Sequence, residues 1–276
     1  MITLQRALLR WARQARRDLP WRRTRDPWAI LVSEVMLQQT QVARVVPRYE
    51  AFLSRFPSPA ACATAPAAEV IRLWAGLGYN RRALALHRAA RAAVAGGGRL
   101  PDTLEGLAAL PGVGPYTARA VLAFAFERDV AVLDANARRV LSRALGAAVT
   151  QAAADALVPP GRSWEWNQGV LDLGATVCRP QPRCDACPLT RACAWRLSGR
   201  ERPDPWPRRR PQARFEGSDR QGRGRLVSIL RDRPLAWDEV PAAAGWPDDP
   251  GRAEAVVRSL VAEGLVVAED GRLRLP

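Results

Sequence analysis

The chain has 276 residues, 48% of them hydrophobic, and a formal net charge of +15 from 42 basic against 27 acidic side chains. That length suits one large domain or two to three small ones, and the apolar content suffices for a real core, which excludes a disordered or fibrous chain. The basic excess favours a polyanionic partner, nucleic acid first, and all 42 basic residues are arginine because the sequence contains no lysine.

In chain order, MITLQRALLRWARQARR has an amphipathic helical pattern with scattered charge and lacks the continuous apolar stretch of a signal peptide. No later segment reaches 18 uninterrupted apolar residues, so a soluble, cytoplasmic protein without a membrane span is expected. WAILVSEVMLQQTQVARVVPRY reads as one helix with Ile30, Leu31, Val35, Leu37 and Val42 on broad apolar faces, interrupted by Glu34. A carboxylate among apolar neighbours tends towards a raised pKa, as a general acid near neutral pH requires; the alternative is a capping or surface glutamate. Cys62 reads as a small buried helix residue, and His87, the sole histidine, as a surface residue of the LALHRAAR helix.

From 103 to 136 the pattern changes character. TLEGLAAL has helical spacing of Leu104, Leu107 and Leu110, the apolar run after Pro115 reads as a second helix, and PGVG lies between them. Gly112 and Gly114 adopt positive φ readily and, with Val113, present successive backbone N–H groups beside a helix N-terminus, an arrangement suited to a phosphate; an ordinary helix-helix turn is the alternative. The VAVL run ends at Asp134, placed as the N-cap of the helix that ANARRVL begins, and a capping role does not exclude catalysis.

Cys178, Cys184, Cys187 and Cys193 follow as C-x5-C-x2-C-x5-C, a spacing that lets four thiolates converge from one compact loop. Disulfides are a poor account without an export signal, leaving zinc or iron–sulfur. Structural zinc sites usually show two short C-x2-4-C pairs, whereas only the middle interval is short here, which favours a [4Fe–4S] cluster. Beyond it, SGRERPDPWPRRRPQAR at 198 to 214 holds four prolines and six arginines and marks an extended basic linker. GRLVSILRDRP, LAWDEVPAAAGW and GRAEAVVRSLVAEGL then read as three helices, and VVAEDGRLRLP as a hairpin turning at Asp270-Gly271. That order is similar to a winged helix, with Arg252, Arg258, Arg272 and Arg274 as candidate DNA contacts.

Taken together, SEVMLQQTQVA, LWAGLGYNRRALALH, LPGVGPYTARA, LDANARRVL, NQGVLDLGA and the cysteine loop resemble, in order and separation, the MutY adenine DNA glycosylases of the helix-hairpin-helix, endonuclease III superfamily. The likeness covers roughly residues 5 to 197. It implies an all-α fold with two helical lobes, a cluster loop over 178–193 and an active site in the cleft between the lobes. Three regions follow: the bilobal glycosylase domain at 1–197, the linker at 198–216 and a small winged-helix-like α+β module at 217–276.

The resemblance also implies roles. Glu34 matches the glutamate that protonates the extruded adenine and helps activate water, Asp134 the aspartate that stabilises the oxocarbenium-like sugar, and Asn136 an asparagine that holds that region in place. Tyr116 stands where bifunctional relatives carry a Schiff-base lysine. Trp21, Arg22 and Gln168 match residues lining the adenine pocket; Gln39, Thr40 and Tyr79 match residues that contact or wedge beside the opposite base. The implied reaction is monofunctional hydrolysis of the N-glycosidic bond of adenine mispaired with 8-oxoguanine or guanine. The implied partner is double-stranded DNA at the nucleoid, met by a monomer that hands the abasic product to an abasic-site endonuclease. Its chemistry needs a proton for the departing purine and negative charge near the developing cation, on a base flipped from the duplex. Without lysine, no side-chain amine forms a Schiff base with the abasic sugar.

The chain departs from the family pattern in four places. Asn80 replaces a second tyrosine after GLGY, LDAN replaces LDGN, the first cysteine interval is five rather than the usual six, and about 60 residues stand where typical members carry a Nudix-like domain of more than a hundred that inspects oxidised guanine. Two rival readings are a mismatch thymine or uracil glycosylase, against which Glu34 argues, and a non-catalytic DNA-binding regulator, against which both carboxylates argue.

Overall fold

The computed structural model of the protein describes residues 2–199, 203–206 and 213–276. Much of the arginine- and proline-rich linker therefore lies outside the described residues. The chain divides into two compact units, one built from 1–31, 102–108 and 113–210, the other from 32–101, 109–112 and 211–276.

The first helix, α1 (Ile2–Ala15), buries Leu4, Leu8, Leu9 and Ala12 along one stripe. A 3-10 turn over Pro20–Arg22 follows, with proline at its start where the missing N–H costs nothing. Helix α2 (Pro27–Leu37) is apolar almost all round, and Trp28, Ile30, Leu31, Val32, Val35 and Met36 are nearly inaccessible; the Asp26 carboxylate caps it by accepting from Ala29 N at 3.0 Å.

The long helix expected from Trp28 to Tyr49 is two helices. Gln39 sits at φ 54, and α3 (Val42–Arg55) restarts after Gln41. The carbonyls that end α2 find a partner in Arg82, whose guanidinium takes Val35 O, Met36 O and Gln38 O at 2.8, 3.0 and 2.6 Å. A side chain 44 residues or more away thus terminates the helix, a device invisible to local periodicity. In α3, Val45, Tyr49 and Phe52 are the buried face.

Short helices α4 (Pro59–Thr64) and α5 (Ala67–Leu73) lead to α6 (Arg81–Ala95), which packs on α4. Ser58 caps α4 through Ala61 N, and Cys62 is fully buried as expected, its thiol pushed up to about 12 by desolvation. His87, expected at the surface, is instead buried, with Nε2 3.1 Å from Ala65 O. The small residues of α6 bring α4 close enough to cover it.

Helix α7 (Leu104–Ala108) and α8 (Pro115–Phe124) flank the PGVG turn, and α9 (Ala135–Leu145), α10 (Gln151–Asp155) and α11 (Ser163–Thr176) complete the core of the first unit. Its apolar centre joins α1, α9 and α11 through Leu8, Leu141, Trp166 and Leu173. A 3-10 turn at Cys184–Ala186 and α12 (Ala194–Leu197) lie in and after the cysteine loop.

The C-terminal segment forms the expected three helices, α13 (Asp219–Asp232), α14 (Val240–Ala244) and α15 (Pro250–Ala262). The hairpin β2 (Val267–Glu269) and β3 (Arg272–Arg274) turns at Asp270 and Gly271, both at positive φ. The structure adds β1 (Leu235–Ala236), which pairs antiparallel with β3 to give the order β1-β3-β2. Two residues are too few to carry a readable alternation. This module belongs to the second unit, where Arg231 on α13 donates to Ile71 O at 3.2 Å and Asn80 Oδ1 at 2.9 Å, and Ala68 N donates to the final carbonyl, Pro276 O.

Candidate active site and nucleic-acid interface

Residues 131–133 are buried outside any helix or strand, without a sheet to satisfy their backbone. Side chains take that role: Val132 N donates to Asn167 Oδ1 at 2.8 Å, Ala131 N to Asp155 Oδ1 at 2.7 Å, and Gln151 Nε2 to Ala131 O at 3.1 Å. This scaffold delivers Asp134 to the N-cap of α9, where Oδ1 accepts from Ala137 N at 2.6 Å. Oδ2 accepts from Asn136 Nδ2 at 3.2 Å. Burial raises the Asp134 pKa, against the hydrogen bonds from Ala137 and Asn136 and the charge of Arg139, which lower it.

The network continues through arginine. Arg139 Nη2 donates to Asn136 Oδ1 at 2.7 Å and to Gly174 O at 2.8 Å, and Nε to Cys178 O at 2.7 Å. Gly174 is required by closeness, since a Cβ there would stand 2.7 Å from Asn136 Cβ and 3.0 Å from Asn136 O. One turn on, buried Arg143 donates to Arg179 O, Pro180 O and the Asp204 carboxylate, and its Nη1 lies 3.6 Å from Cys178 Sγ.

Cys178, Cys184, Cys187 and Cys193 line one cavity of the first unit. Among the described residues no group of three or more histidine, cysteine or carboxylate side chains is arranged to hold a metal ion. Burial raises the thiol pKa of Cys178, Cys187 and Cys193, that of Cys187 to about 11.

Arg22 and Gln168 converge on α11 of the same unit. Asp172, buried to 1% exposure, holds Arg22 in a bidentate pair at 2.7 and 2.9 Å and takes Arg17 Nε at 2.6 Å. Its own burial raises its pKa, but the hydrogen bonds and charges of Arg22 and Arg17 outweigh that and leave it lowered. Gln168, one turn earlier and buried, lines a small cavity with Trp164 and Asp172. Trp21 is buried beside Arg22 in the 3-10 turn. Arg22 thus has a clear structural duty, pinning the 17–22 segment to α11.

In the second unit, Glu34 lies on α2 at 6% exposure among Ile30, Leu31 and Val35, the apolar setting expected of it. Gln39, exposed at φ 54, and Tyr79, 41% exposed at φ 47, stand in two strained turns. Arg82 joins those turns: besides the α2 carbonyls it donates to Thr40 Oγ1 at 3.1 Å, Leu77 O at 3.1 Å and Gly78 O at 3.0 Å. Thr40 Oγ1 in turn donates to Leu77 O. Burial lowers the Arg82 pKa to about 10. The exposure of Tyr79 removes core packing as its explanation.

The PGVG turn has Gly112 at φ +76, where a Cβ would also stand 2.5 Å from Ala85 Cβ, so this position admits only glycine. Val113 is buried and Tyr116 half-buried, while Gly114, the N-cap of α8 ahead of Pro115, lies at φ −83, so only Gly112 takes the positive φ for which both glycines were read.

Sequence reasoning passed over Arg82, Arg139 and Arg143. The last two sit four apart beside Val140 and Ala144 on the inward side of α9, and arginine at apolar-face spacing is the signal that marks them.

Comparison with known proteins places these features in context. Residues 32–156 match the model of the HhH-GPD superfamily base excision DNA repair protein. An adenine DNA glycosylase of Mycobacterium tuberculosis is 44% identical over 98% of this chain and 92% of its own length, so the match takes in the C-terminal module. A thymine-DNA glycosylase of Aeropyrum pernix is 40% identical over 70% of this chain and 93% of its own length. The solved structure of a thermostable thymine-DNA glycosylase superposes with a TM-score of 0.67 at 32% identity, covering 70% of this chain and 95% of that one.

Proposed function

The chain belongs to the adenine DNA glycosylases of the helix-hairpin-helix base excision repair superfamily, and from that membership we propose that it excises adenine mispaired with 8-oxoguanine or guanine by acid-assisted, monofunctional hydrolysis. The observation that carries this reading is the pair of carboxylates in contrasting settings: Glu34 embedded in the apolar helix α2, Asp134 held in a capped, hydrogen-bonded position.

In this reading DNA is gripped at the phosphate backbone by the N–H groups of Gly112, Val113 and Gly114 and by the arginine-rich surface. Adenine leaves the stack and is lined by Trp21, Arg22 and Gln168. Glu34 delivers a proton to the departing purine and guides the attacking water. As the glycosidic bond stretches, positive charge grows on the sugar and Asp134 stabilises it across the face that Asn136 helps to set. Asn136 fixes the carboxylate, and Arg139 fixes Asn136. Tyr116 supplies no amine and the chain holds no lysine, so the reaction stops at the abasic site, whose handover to an abasic-site endonuclease completes repair.

We further assign a [4Fe–4S] cluster to Cys178, Cys184, Cys187 and Cys193. These sulfurs line one shared cavity, and only the middle interval of their C-x5-C-x2-C-x5-C spacing is short, a pattern that suits such a cluster better than zinc. When bound, such a cluster ties the loop together and is a potential electron-transfer centre. The arginines that reach the loop, Arg139 and Arg143, supply hydrogen bonds and positive charge against its thiolates. We also propose a glycosylase body at 1–197 with an appended module at 217–276; the compact units divide the chain differently, the module being grouped with 32–101 and 109–112.

The thymine-DNA glycosylase likeness covers only the body of the chain, whereas the adenine glycosylase match runs nearly end to end. Single-turnover base release decides between them. Duplexes carrying adenine opposite 8-oxoguanine, guanine or cytosine, and thymine opposite guanine, are incubated with the protein and split into alkali-treated and untreated halves. Adenine release visible as strand breaks only after alkali is expected; thymine release, or breaks without alkali, contradicts the proposal.

A further inference from the structure

The second unit contains a groove of ≈ 890 Å³ that the catalytic chemistry leaves unused. One wall carries Gln39, Thr40 and Tyr79 from the turns that Arg82 joins; the other carries Phe215, Arg220 and Arg223, contributed by the C-terminal module. Two aromatic side chains are therefore presented in one groove, Tyr79 at 41% and Phe215 at 57% exposure. Five arginines and one glutamate supply its charged lining. The glutamate, Glu263, is already neutralised by Arg223 at 2.5 Å and Arg81 at 3.6 Å, so the groove is strongly positive. Aromatic faces alternating with arginines in a groove are the chemistry of an unpaired nucleotide: the base stacks and the flanking phosphates are paired.

The module wall is held firmly. Arg231 on α13 donates to Asn80 Oδ1, immediately after Tyr79, and Arg72 Nε returns a bond to Arg231 O at 3.0 Å. Asn80, one of the positions at which the chain departs from the family pattern, is thus among the residues that receive the module. Three of the four arginines that the sequence offered as DNA contacts are engaged within the module: Arg252 lies over the Trp246 ring at 4.1 Å and pairs with Asp219, Arg258 pairs with Glu254, and Arg274 with Glu269; Arg220, on the groove, donates once to Ala213 O at 2.7 Å and lies 6.0 Å from the Phe215 ring centre.

We propose that Phe215 and Arg220 of the C-terminal module complete the binding site for the nucleotide opposite the excised adenine, Phe215 stacking on its base and Arg220 pairing with an adjacent phosphate. The proposal rests on the reading that places Gln39, Thr40 and Tyr79 beside the opposite base.

Binding of the full chain to duplexes with non-hydrolysable 2′-fluoro-deoxyadenosine opposite guanine, 8-oxoguanine or a baseless tetrahydrofuran residue tests it. Removing the opposite base should weaken wild-type binding about tenfold, the effect of one stacked base. Phe215→Ala should narrow that gap to within about twofold by losing affinity only for duplexes that carry the base. Arg220→Ala should weaken all three duplexes alike and reduce the salt dependence of binding. An unchanged gap in Phe215→Ala, or a wild type indifferent to the missing base, overturns the proposal. Failure of the underlying reading is separately visible, as absence of adenine release by wild type from unmodified duplexes. Phe215 is exposed, and matched thermal denaturation of the variants verifies the fold.

Discussion

The Asp134 carboxylate accepts hydrogen bonds from Ala137 N and Asn136 Nδ2, yet burial keeps its pKa above the ordinary aspartate value. Two consequences run in opposite directions. In the proposed mechanism the charged form stabilises the sugar cation, so base release should climb as pH rises through this elevated pKa. Folding stability should fall over the same window, because the folded chain holds the proton more tightly than the unfolded chain does. Single-turnover release and thermal denaturation measured across the acid range check both slopes; an acid limb at or below the ordinary aspartate range contradicts the buried, catalytic assignment. Glu34 and Asp134 were legible in the sequence because each breaks or ends an apolar run. Arg82, Arg139 and Arg143 were not, because their acceptors are carbonyls supplied by remote turns and an arginine in a basic chain looks like surface charge. His87 was misread for a related reason: nothing local reports that α4 covers it.

The secondary elements were read best where capping and periodicity agreed, as at α8 and α9, and least well where a distant side chain decides the boundary, as at the end of α2. The α11 helix shows how one buried residue organises an element pair. Asp172 balances Arg22 and Arg17 at 1% exposure, so the sequence start and α11 are joined through a fully desolvated charge. Asp172→Asn should therefore cost about 3–5 kcal/mol, the penalty of leaving Arg22 buried without its counter-charge. Because the Asp172 pKa is lowered, its stabilisation is present above the ordinary aspartate pKa and is lost as pH falls through its folded value. Chemical denaturation of wild type and variant at neutral and acid pH checks this: the gap should shrink on acidification, and a variant as stable as wild type at neutral pH refutes it. The strand β1 escaped sequence reading because it is two residues long, yet it fastens the start of α14 to the hairpin.

At the scale of the whole molecule, a net charge of +15 with every basic side chain a guanidinium favours a sequence-independent attraction to DNA, and in the proposed mechanism the carboxylates supply the chemistry. Affinity and catalysis should then be separable. The helices were legible because apolar spacing, glycine placement and caps restrict local geometry; the fold class and most candidate site residues came instead from the ordered motifs that carry the family resemblance. The docking of the C-terminal module beside α5 and α6 was not, because it rests on scattered contacts such as Arg231 with Asn80 that have no periodic signature. Among the described residues no helix is long and apolar enough to cross a membrane. The most direct test of the central claim is single-turnover adenine release by Glu34→Gln alongside its affinity for the same duplex. Loss of release by at least about a hundredfold, the scale of a missing general acid, with affinity retained is the predicted result. Release at the wild-type rate would contradict the account.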